Sequence, residues 1–320
     1  MKTNIFTITG KSLIILFLSL IFGCGNRSDK KFDETPTRGN IKIAVDESYQ
    51  LLMDTETYTF HSIYKYAQIN VDYTTETKAF DLFFKDSIRL MIVNRKLTDA
   101  QEQNLKKAQI IPRTTKIAYD ALALIVNNDN PDTLIRYDQL KDIFTGNLSK
   151  WKSINSKSTL GNLAVVFDNN ESGNPRYIRE KFSVKGKFPS YCYAVKSNEE
   201  VINFVKNNKN ALGIISVNWI SDPHDTISHR FLNELHIVSV GQEGDINGTG
   251  EFRKPYQGYI AEGSYPFIRE VYAISRETFA GLGSGFISFV AGDKGQRIVL
   301  KSGLVPATMP IRLIEIKKNK

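Results

Sequence analysis

The stretch VFDNNESGNPRYIREKF, residues 166–182, combines groups that could hold an anion. Asn174 and Pro175 suit the N-cap and first position of a helix, and the first N–H groups of a helix are free to bind a negatively charged ligand. The turn before them carries Asp168 and Glu171, whose negative charges would repel such a ligand. The stretch therefore predicts a polar site at a helix start, with local charges that oppose a simple anion.

The histidines and cysteines do not form a catalytic or metal-binding pattern. No pair of histidines has His-Glu-x-x-His spacing; they are His61, His224, His229 and His236. The chain has two cysteines, Cys24 and Cys192, too few for a thiolate metal site. Because no acid, base and nucleophile are grouped, we predict a protein that is not an enzyme and needs no cofactor or metal.

The charge of the chain is mildly basic and evenly spread. Lys and Arg number 42 against 34 Asp and Glu, for a net charge of +8, and the one dense basic run is KKNK at the end. Nucleic-acid binding usually shows a concentrated basic face, so we do not expect it. With 320 residues, 41% of them hydrophobic, the chain can bury one large core or two modest ones.

The N-terminal segment predicts export. Two lysines precede the apolar run Leu13–Phe22, which is too short to span a bilayer but suits the core of a signal peptide. The run ends in Ile21–Cys24, which resembles the lipobox at which bacterial lipoproteins are cleaved before an acylated cysteine. We predict a signal peptide over residues 1–23 and lipidation at Cys24; the alternative is an ordinary secretory leader with an incidental cysteine.

Residues 24–40 are polar, charged and turn-rich, and predict a flexible tether between a lipid anchor and the folded body. This places the protein in the cell envelope, periplasmic or surface-exposed, and attached to a membrane through Cys24. Lipidation of Cys24 would leave Cys192 without a disulfide partner.

The body alternates strand-like and helix-like segments. Residues 41–45 and 90–94 are predicted to be strands, and between them apolar residues recur at the spacing of a helix. The continuous apolar run 121–126 is typical of a strand buried on both faces. The segment 285–303 reads as one long helix. This alternation predicts an α/β architecture.

Several motifs then resemble one family. The segment DALALIVNNDNPDTLIRYDQLKDIFTGNLSKWKSI (120–154), and the later NKNALGIISVNWI, YPFIREVYAIS and GQRIVLKSGLVP, occur in the order found in the periplasmic substrate-binding proteins of phosphate ABC transporters. The resemblance extends from about residue 41 to 305. It implies a two-lobed type II periplasmic-binding-protein fold that closes on a ligand in the cleft. Lobe 1 would comprise 41–119 plus 250–320, and lobe 2 would comprise 120–249.

The resemblance also implies a set of ligand-binding residues. Where this sequence matches the family's pattern, the candidates are Ser48, Thr75, Thr77, Asn94, Arg95, Ser172, Gly173, Asn174 and Arg176. The family has an arginine four residues before the helix-start serine, whereas this chain has Asp168. Arg176 or Arg179 could replace that charge from the first helical turn; alternatively, both lie on the exposed helix face.

Two functions remain open from the sequence. The leading one is a lipid-anchored solute-binding protein that captures phosphate or a related small polar solute for an ABC transporter. The alternative is a binding-protein scaffold that no longer binds phosphate and acts as an envelope interaction or sensing protein. The alternative is motivated by the acidic residues Asp46, Glu47 and Asp168 at positions where the family has anion donors.

Overall fold

The computed structural model of the chain describes residues 34–221, 234–245 and 247–310. The predicted signal peptide, the lipidation site Cys24 and the tether up to residue 33 lie outside the described residues, as do His224 and His229. Within the described ranges, no helix combines the length and apolar character needed to cross a membrane.

Helices and strands alternate along the described chain. The helices are α1 (Gln50–Ile63), α2 (Glu76–Phe84), α3 (Asp99–Lys107), α4 (Tyr137–Thr145), α5 (Trp151–Ile154), α6 (Gly173–Lys181), α7 (Asn198–Asn207), α8 (Gln257–Ala261), α9 (Leu282–Val290) and α10 (Asp293–Lys301). The strands are β1 (Arg38–Asp46), β2 (Tyr66–Thr74), β3 (Leu90–Val93), β4 (Arg113–Asn127), β5 (Leu134–Ile135), β6 (Ala164–Phe167), β7 (Cys192–Ala194), β8 (Ala211–Ser216), β9 (Leu235–Ile237), β10 (Ser239–Gly241), β11 (Phe252–Arg253), β12 (Ile268–Ser275) and β13 (Val305–Pro306). Short 3-10 turns follow β1 and β8, at Glu47–Tyr49 and Val217–Trp219.

One large mixed sheet organises the body. Its strand order is β2-β1-β3-β12-β4-β8-β6-β7, with β9 and β13 also paired to β4. The pairs β1–β2, β1–β3, β6–β7 and β6–β8 are parallel, whereas β12 and β8 run antiparallel to β4. A second, three-stranded sheet is formed by β11, β10 and β5.

The long strand β4 joins two half-sheets. Its residues 113–121 pair with β12, and its residues 122–126 pair with β8. We call β1, β2, β3 and β12 the first half-sheet, and β6, β7 and β8 the second half-sheet. Because β4 belongs to both half-sheets, it connects them directly.

The apolar strands form the core, as their sequence predicts. Residues 121–126 of β4 are at most 1% exposed, so the run predicted to be buried on both faces is confirmed. Thr98 caps α3 with a complete capping box through Gln101.

Two predicted elements differ in detail. The segment 285–303 is not one helix, because Gly292 adopts an extended conformation between α9 and α10. At the other end of the body, β1 begins at Arg38, within the segment predicted as tether. Glu34 is also held there, since its carboxylate accepts hydrogen bonds from Arg89 at 2.7 and 2.8 Å and from the Leu282 N–H at 3.0 Å.

Glu56 is a buried carboxyl group on α1. The residue has no exposed surface, and neither of its carboxyl oxygens has a hydrogen-bond partner among the described residues. Burial raises the pKa of Glu56 from 4.5 to about 9. Between these two pH values the folded chain keeps a proton that the unfolded chain has lost, so the stability contributed by this group falls as the pH rises from about 4.5 to about 9.

The variant Glu56→Gln is therefore expected to raise the free energy of unfolding at pH 7 by up to about 3 kcal/mol, because the amide is neutral in both states. Urea unfolding at pH 5, 7 and 9 measures this, and the gain should grow with pH. Glu102→Gln, at a solvent-facing pair with Lys106, is the control and should change little. If the free energy of unfolding depends on pH in the same way in the Glu56 variant and in the wild type, the pKa of Glu56 is not raised by burial.

Candidate ligand-binding cleft

The ends of strands from both half-sheets meet in a buried polar cleft. Asp46 ends β1 and Asn94 follows β3 in the first half-sheet; Asp168 follows β6 and Ser216 ends β8 in the second. All four residues are buried. Ligands of open α/β sheets bind outside the carboxyl ends of the strands, so this cleft is the candidate site.

Asp46 joins the two half-sheets directly. Its Oδ1 accepts a hydrogen bond from the Ser48 N–H at 3.0 Å, and its Oδ2 accepts one from the Gly173 N–H at 3.3 Å. Gly173 is the first residue of α6, whose free N–H groups favour acceptors. Burial and the nearby Glu76 raise the pKa of Asp46, against the lowering effect of the Ser48 hydrogen bond.

Helix α6 begins two residues earlier than a cap at Asn174 predicts. Ser172 is the N-cap: its Oγ accepts from the Asn174 N–H at 3.3 Å and donates to Asp168 at 2.7 Å. The prediction of Asn174 as the cap is wrong, because the Ser172 hydroxyl already satisfies that N–H. Asn174 instead lies buried in the first turn and faces the cleft.

Glu47 makes a second connection across the cleft. Its carboxyl oxygens accept from the Asn198 N–H at 3.3 and 3.4 Å and from the Asn198 side-chain amide at 2.5 Å. Asn198 is the first residue of α7. Burial raises the pKa of Glu47 to about 8, and it raises the pKa of Asp168 to about 7 with a further contribution from Asp46.

Glu76 is a functional candidate that the sequence reasoning missed. This buried residue at the start of α2 accepts from Arg176 at 2.5 and 3.1 Å, and Arg95 lies 3.5 Å away. Arg176 also donates to the Asn94 side chain and to Glu180 on its own helix. Both arginines predicted to bind a ligand thus already have a carboxylate partner.

The other predicted residues have different roles. Thr75 caps α2 by accepting from the Lys78 N–H at 3.3 Å, whereas Thr77 donates through its N–H and Oγ1 to the Glu171 carbonyl at 3.1 and 3.0 Å. The Arg95 guanidinium also lies 3.5 Å from the centre of the Phe80 ring. Arg179 faces away from Glu76 and stacks on Phe188 at 4.7 Å.

A buried ion pair lies beneath the cleft, and sequence reasoning missed it as well. Arg269 of β12 donates to Asp120 of β4 at 2.8 Å and to the Asn174 side chain at 2.6 Å. Asp120 also accepts from the Ser216 hydroxyl at 3.0 and 3.1 Å. The signal in the sequence was one charged residue within each of two apolar strands, and the sheet register places Arg269 directly opposite Asp120.

Several buried polar atoms around the cleft have no hydrogen-bond partner among the described residues. They include Ser48 Oγ, Asn94 Nδ2 and Asn218 Oδ1. The packing at Gly173 is tight, since a Cβ atom there would lie 2.0 Å from Asn94 Nδ2. Unsatisfied buried groups cost free energy, so a ligand or water that reached them would be favoured. Across the residues that the structure describes, no cluster of His, Cys, Asp or Glu has the arrangement of a metal site.

Curated proteins similar in sequence to this chain include phosphate-binding proteins. The phosphate-binding protein PstS of Staphylococcus saprophyticus is 25% identical over 243 residues, 72% of this chain and 71% of that protein. PstS of Staphylococcus epidermidis strain RP62A is 22% identical and covers 88% of this chain, with 84% of that protein matched.

Solved structures confirm the predicted two-lobed α/β fold. A substrate-binding protein of Clostridium perfringens, solved with bound phosphate, superposes with a TM-score of 0.69 at 22% identity, over 84% of this chain and 100% of that one. An ABC-type phosphate transport receptor of Vibrio cholerae superposes with a TM-score of 0.62 at 21% identity and the same coverage. A family model described as the PBP superfamily domain matches residues 32–294, and the chain therefore belongs to that superfamily.

Proposed function

We propose that this chain is an extracytoplasmic solute-binding protein that captures a small polar solute in its cleft and delivers it to an ABC transporter. The observation that carries the proposal is the convergence of buried polar groups from both half-sheets. Two of their atoms, Ser48 Oγ and Asn94 Nδ2, have no hydrogen-bond partner among the described residues. The names of the relatives make phosphate the first solute to test.

The proposal includes a lipid anchor at Cys24, formed after removal of residues 1–23. It is supported by the apolar run and the lipobox-like Ile21–Cys24. The anchor would hold the protein in the cell envelope, within reach of a permease. The two lobes would be residues 41–119 with 250–320, and residues 120–249.

The ligand-binding residues are proposed in two groups. Those with buried groups in the cleft are Ser48, Asn94, Ser172, Gly173 and Asn174. Those at its partly exposed mouth are Arg95, Arg176 and Thr77, with Thr75 beside them as the helix cap.

Binding can be tested by thermal unfolding of the full chain with a panel of small polar solutes that includes phosphate. A bound solute at about 100 times its Kd stabilises the folded state by about 2.7 kcal/mol, which raises Tm by several degrees. We expect Gly173→Ala to abolish this rise, because its Cβ would lie 2.0 Å from Asn94 Nδ2 and would hold the cleft apart.

Gly161→Ala is the matched control, since its Cβ would meet its nearest neighbour, Asn210, at an ordinary 3.5 Å. It should keep the full response to the solute. A solute that stabilises the wild type and the Gly173 variant equally would place binding outside the cleft and contradict the proposal.

A second function is favoured by one feature of the same cleft. Asp46, Glu47 and Asp168 place carboxyl groups where an anion-binding site needs donors. A scaffold of this kind would serve as an envelope interaction or sensing protein without binding phosphate. It predicts no shift of Tm with phosphate, and no effect of phosphate in the Gly173 variant.

A further inference from the structure

Three carboxyl groups of the first half-sheet reach donors on two helices of the second. Asp46 ends β1 and Glu47 comes directly after it, and Glu76 begins the helix that follows β2. Their partners are the first residues of α6 and α7 and the Arg176 side chain of α6. In these three connections the carboxyl groups on one side of the cleft are the acceptors, and the groups on the other side are the donors.

Each of these donors is of a kind that binds oxyanions. The N–H groups at the starts of α6 and α7 lie at the positive ends of helices of nine and ten residues. The Arg176 guanidinium can donate to two oxygen atoms at once. It donates in this bidentate way to both carboxylate oxygens of Glu76, at 2.5 and 3.1 Å.

The connections are well shielded from water. Asp46 and Glu76 are 1% and 3% exposed, and Asn198 is fully buried. The backbone adds a further connection, because the Thr77 N–H donates to the Glu171 carbonyl at 3.1 Å. Such contacts can form only while the two half-sheets are close together.

We propose that Asp46, Glu47 and Glu76 act as built-in acceptors: they occupy the donors that would otherwise recognise an external oxyanion, hold the cleft closed without a solute, and set specificity against phosphate. The inference rests on the proposed solute-binding clamp and deepens it. A solute of this cleft would have to displace the chain's own carboxyl groups or bind beside them. A dianion such as phosphate is poorly suited to either, because Asp168 lies within the same group of residues.

Amide hydrogen exchange of the full chain in detergent, followed by mass spectrometry, reads these contacts directly. Without added solute, the amides of Gly173, Asn198 and Thr77 should be protected. In the variant Asp46→Ala/Glu47→Ala/Glu76→Ala they should exchange at least ~10-fold faster, since hydrogen bonds lost with the closed state expose them to solvent. Residues 121–126 of β4 should keep their protection, which shows that the body remains folded.

Glu180→Gln is the matched control, because the hydrogen bond of Glu180 in the described part of the chain is to Arg176 of its own helix α6. It should leave all three amides protected. If the triple variant unfolds, the single variant Asp46→Ala replaces it, with faster exchange expected at Gly173 and unchanged exchange at Asn198.

Two results would overturn the inference. One is protection that survives in the variants. The other is rapid exchange in the wild type that slows when inorganic phosphate is added. This result would show that the solute, and not the built-in acceptors, closes the cleft, and it would leave the proposed solute binding intact. Conversely, protection lost in the variant supports the inference even when no solute of the panel raises Tm.

Discussion

The Asp46→Ala/Glu47→Ala variant is expected to bind phosphate at least ~100-fold more tightly than the wild type at pH 7. The two substitutions free the N–H groups of Gly173 and Asn198, which now donate to those carboxyl groups. A hydrogen bond to a charged group contributes about 1.5–3 kcal/mol, so two of them correspond to about 3 kcal/mol or more, which is about 100-fold in affinity. The substitutions also open space at the two helix starts.

Isothermal titration with phosphate measures this gain. Glu180→Gln removes a carboxylate from α6 outside the cleft, and its affinity should match that of the wild type. Equal affinities of the double variant and the wild type would show that Asp46 and Glu47 do not compete with the solute.

Replacing Arg269 with methionine is expected to lower the free energy of unfolding by about 3–5 kcal/mol, because it leaves Asp120 buried and without its cation. Both side chains are at most 1% exposed, and they lie 2.7 Å apart. Urea unfolding monitored by circular dichroism gives the value. Arg297→Met, at an exposed pair with Asp293, should change it by less than about 0.5 kcal/mol.

A second substitution separates the ion pair from packing. The double variant Arg269→Met/Asp120→Leu removes both members of the ion pair, so much of the lost stability should return. If the single variant loses less than about 1 kcal/mol of its free energy of unfolding, water reaches Asp120 and the ion pair is not shielded from solvent.

The sequence predicted the elements of this fold well, because local signals control them. The apolar run 121–126 became a buried strand, as predicted. The break at Gly292 was missed because helical spacing continues on both sides, and a glycine within it is compatible with either outcome.

The cleft was predicted in part. Ser172 and Gly173 lie at the helix start that the stretch 166–182 indicates, and Asp168 is adjacent to them. Glu76 could not be assigned, because its partner Arg176 is 100 residues away in the chain. A partner at that separation follows from the packing of two helices, which no local pattern encodes.

The same limit explains the ion pair under the cleft. Asp120 and Arg269 are 149 residues apart and become neighbours through the register of β4 and β12. A charged residue in an apolar strand indicates that a partner exists, since unpaired buried charges are costly. It does not identify the partner.

The chain's own carboxyl groups accept hydrogen bonds from the donors of the cleft that suit an oxyanion. The most direct test is isothermal titration of the full-length wild type with phosphate at pH 7. We expect binding weaker than a Kd of about 1 mM, which corresponds to less than about 4 kcal/mol. Saturable binding with a micromolar Kd would contradict this expectation, since phosphate would then reach donors that are bonded to Asp46, Glu47 and Glu76.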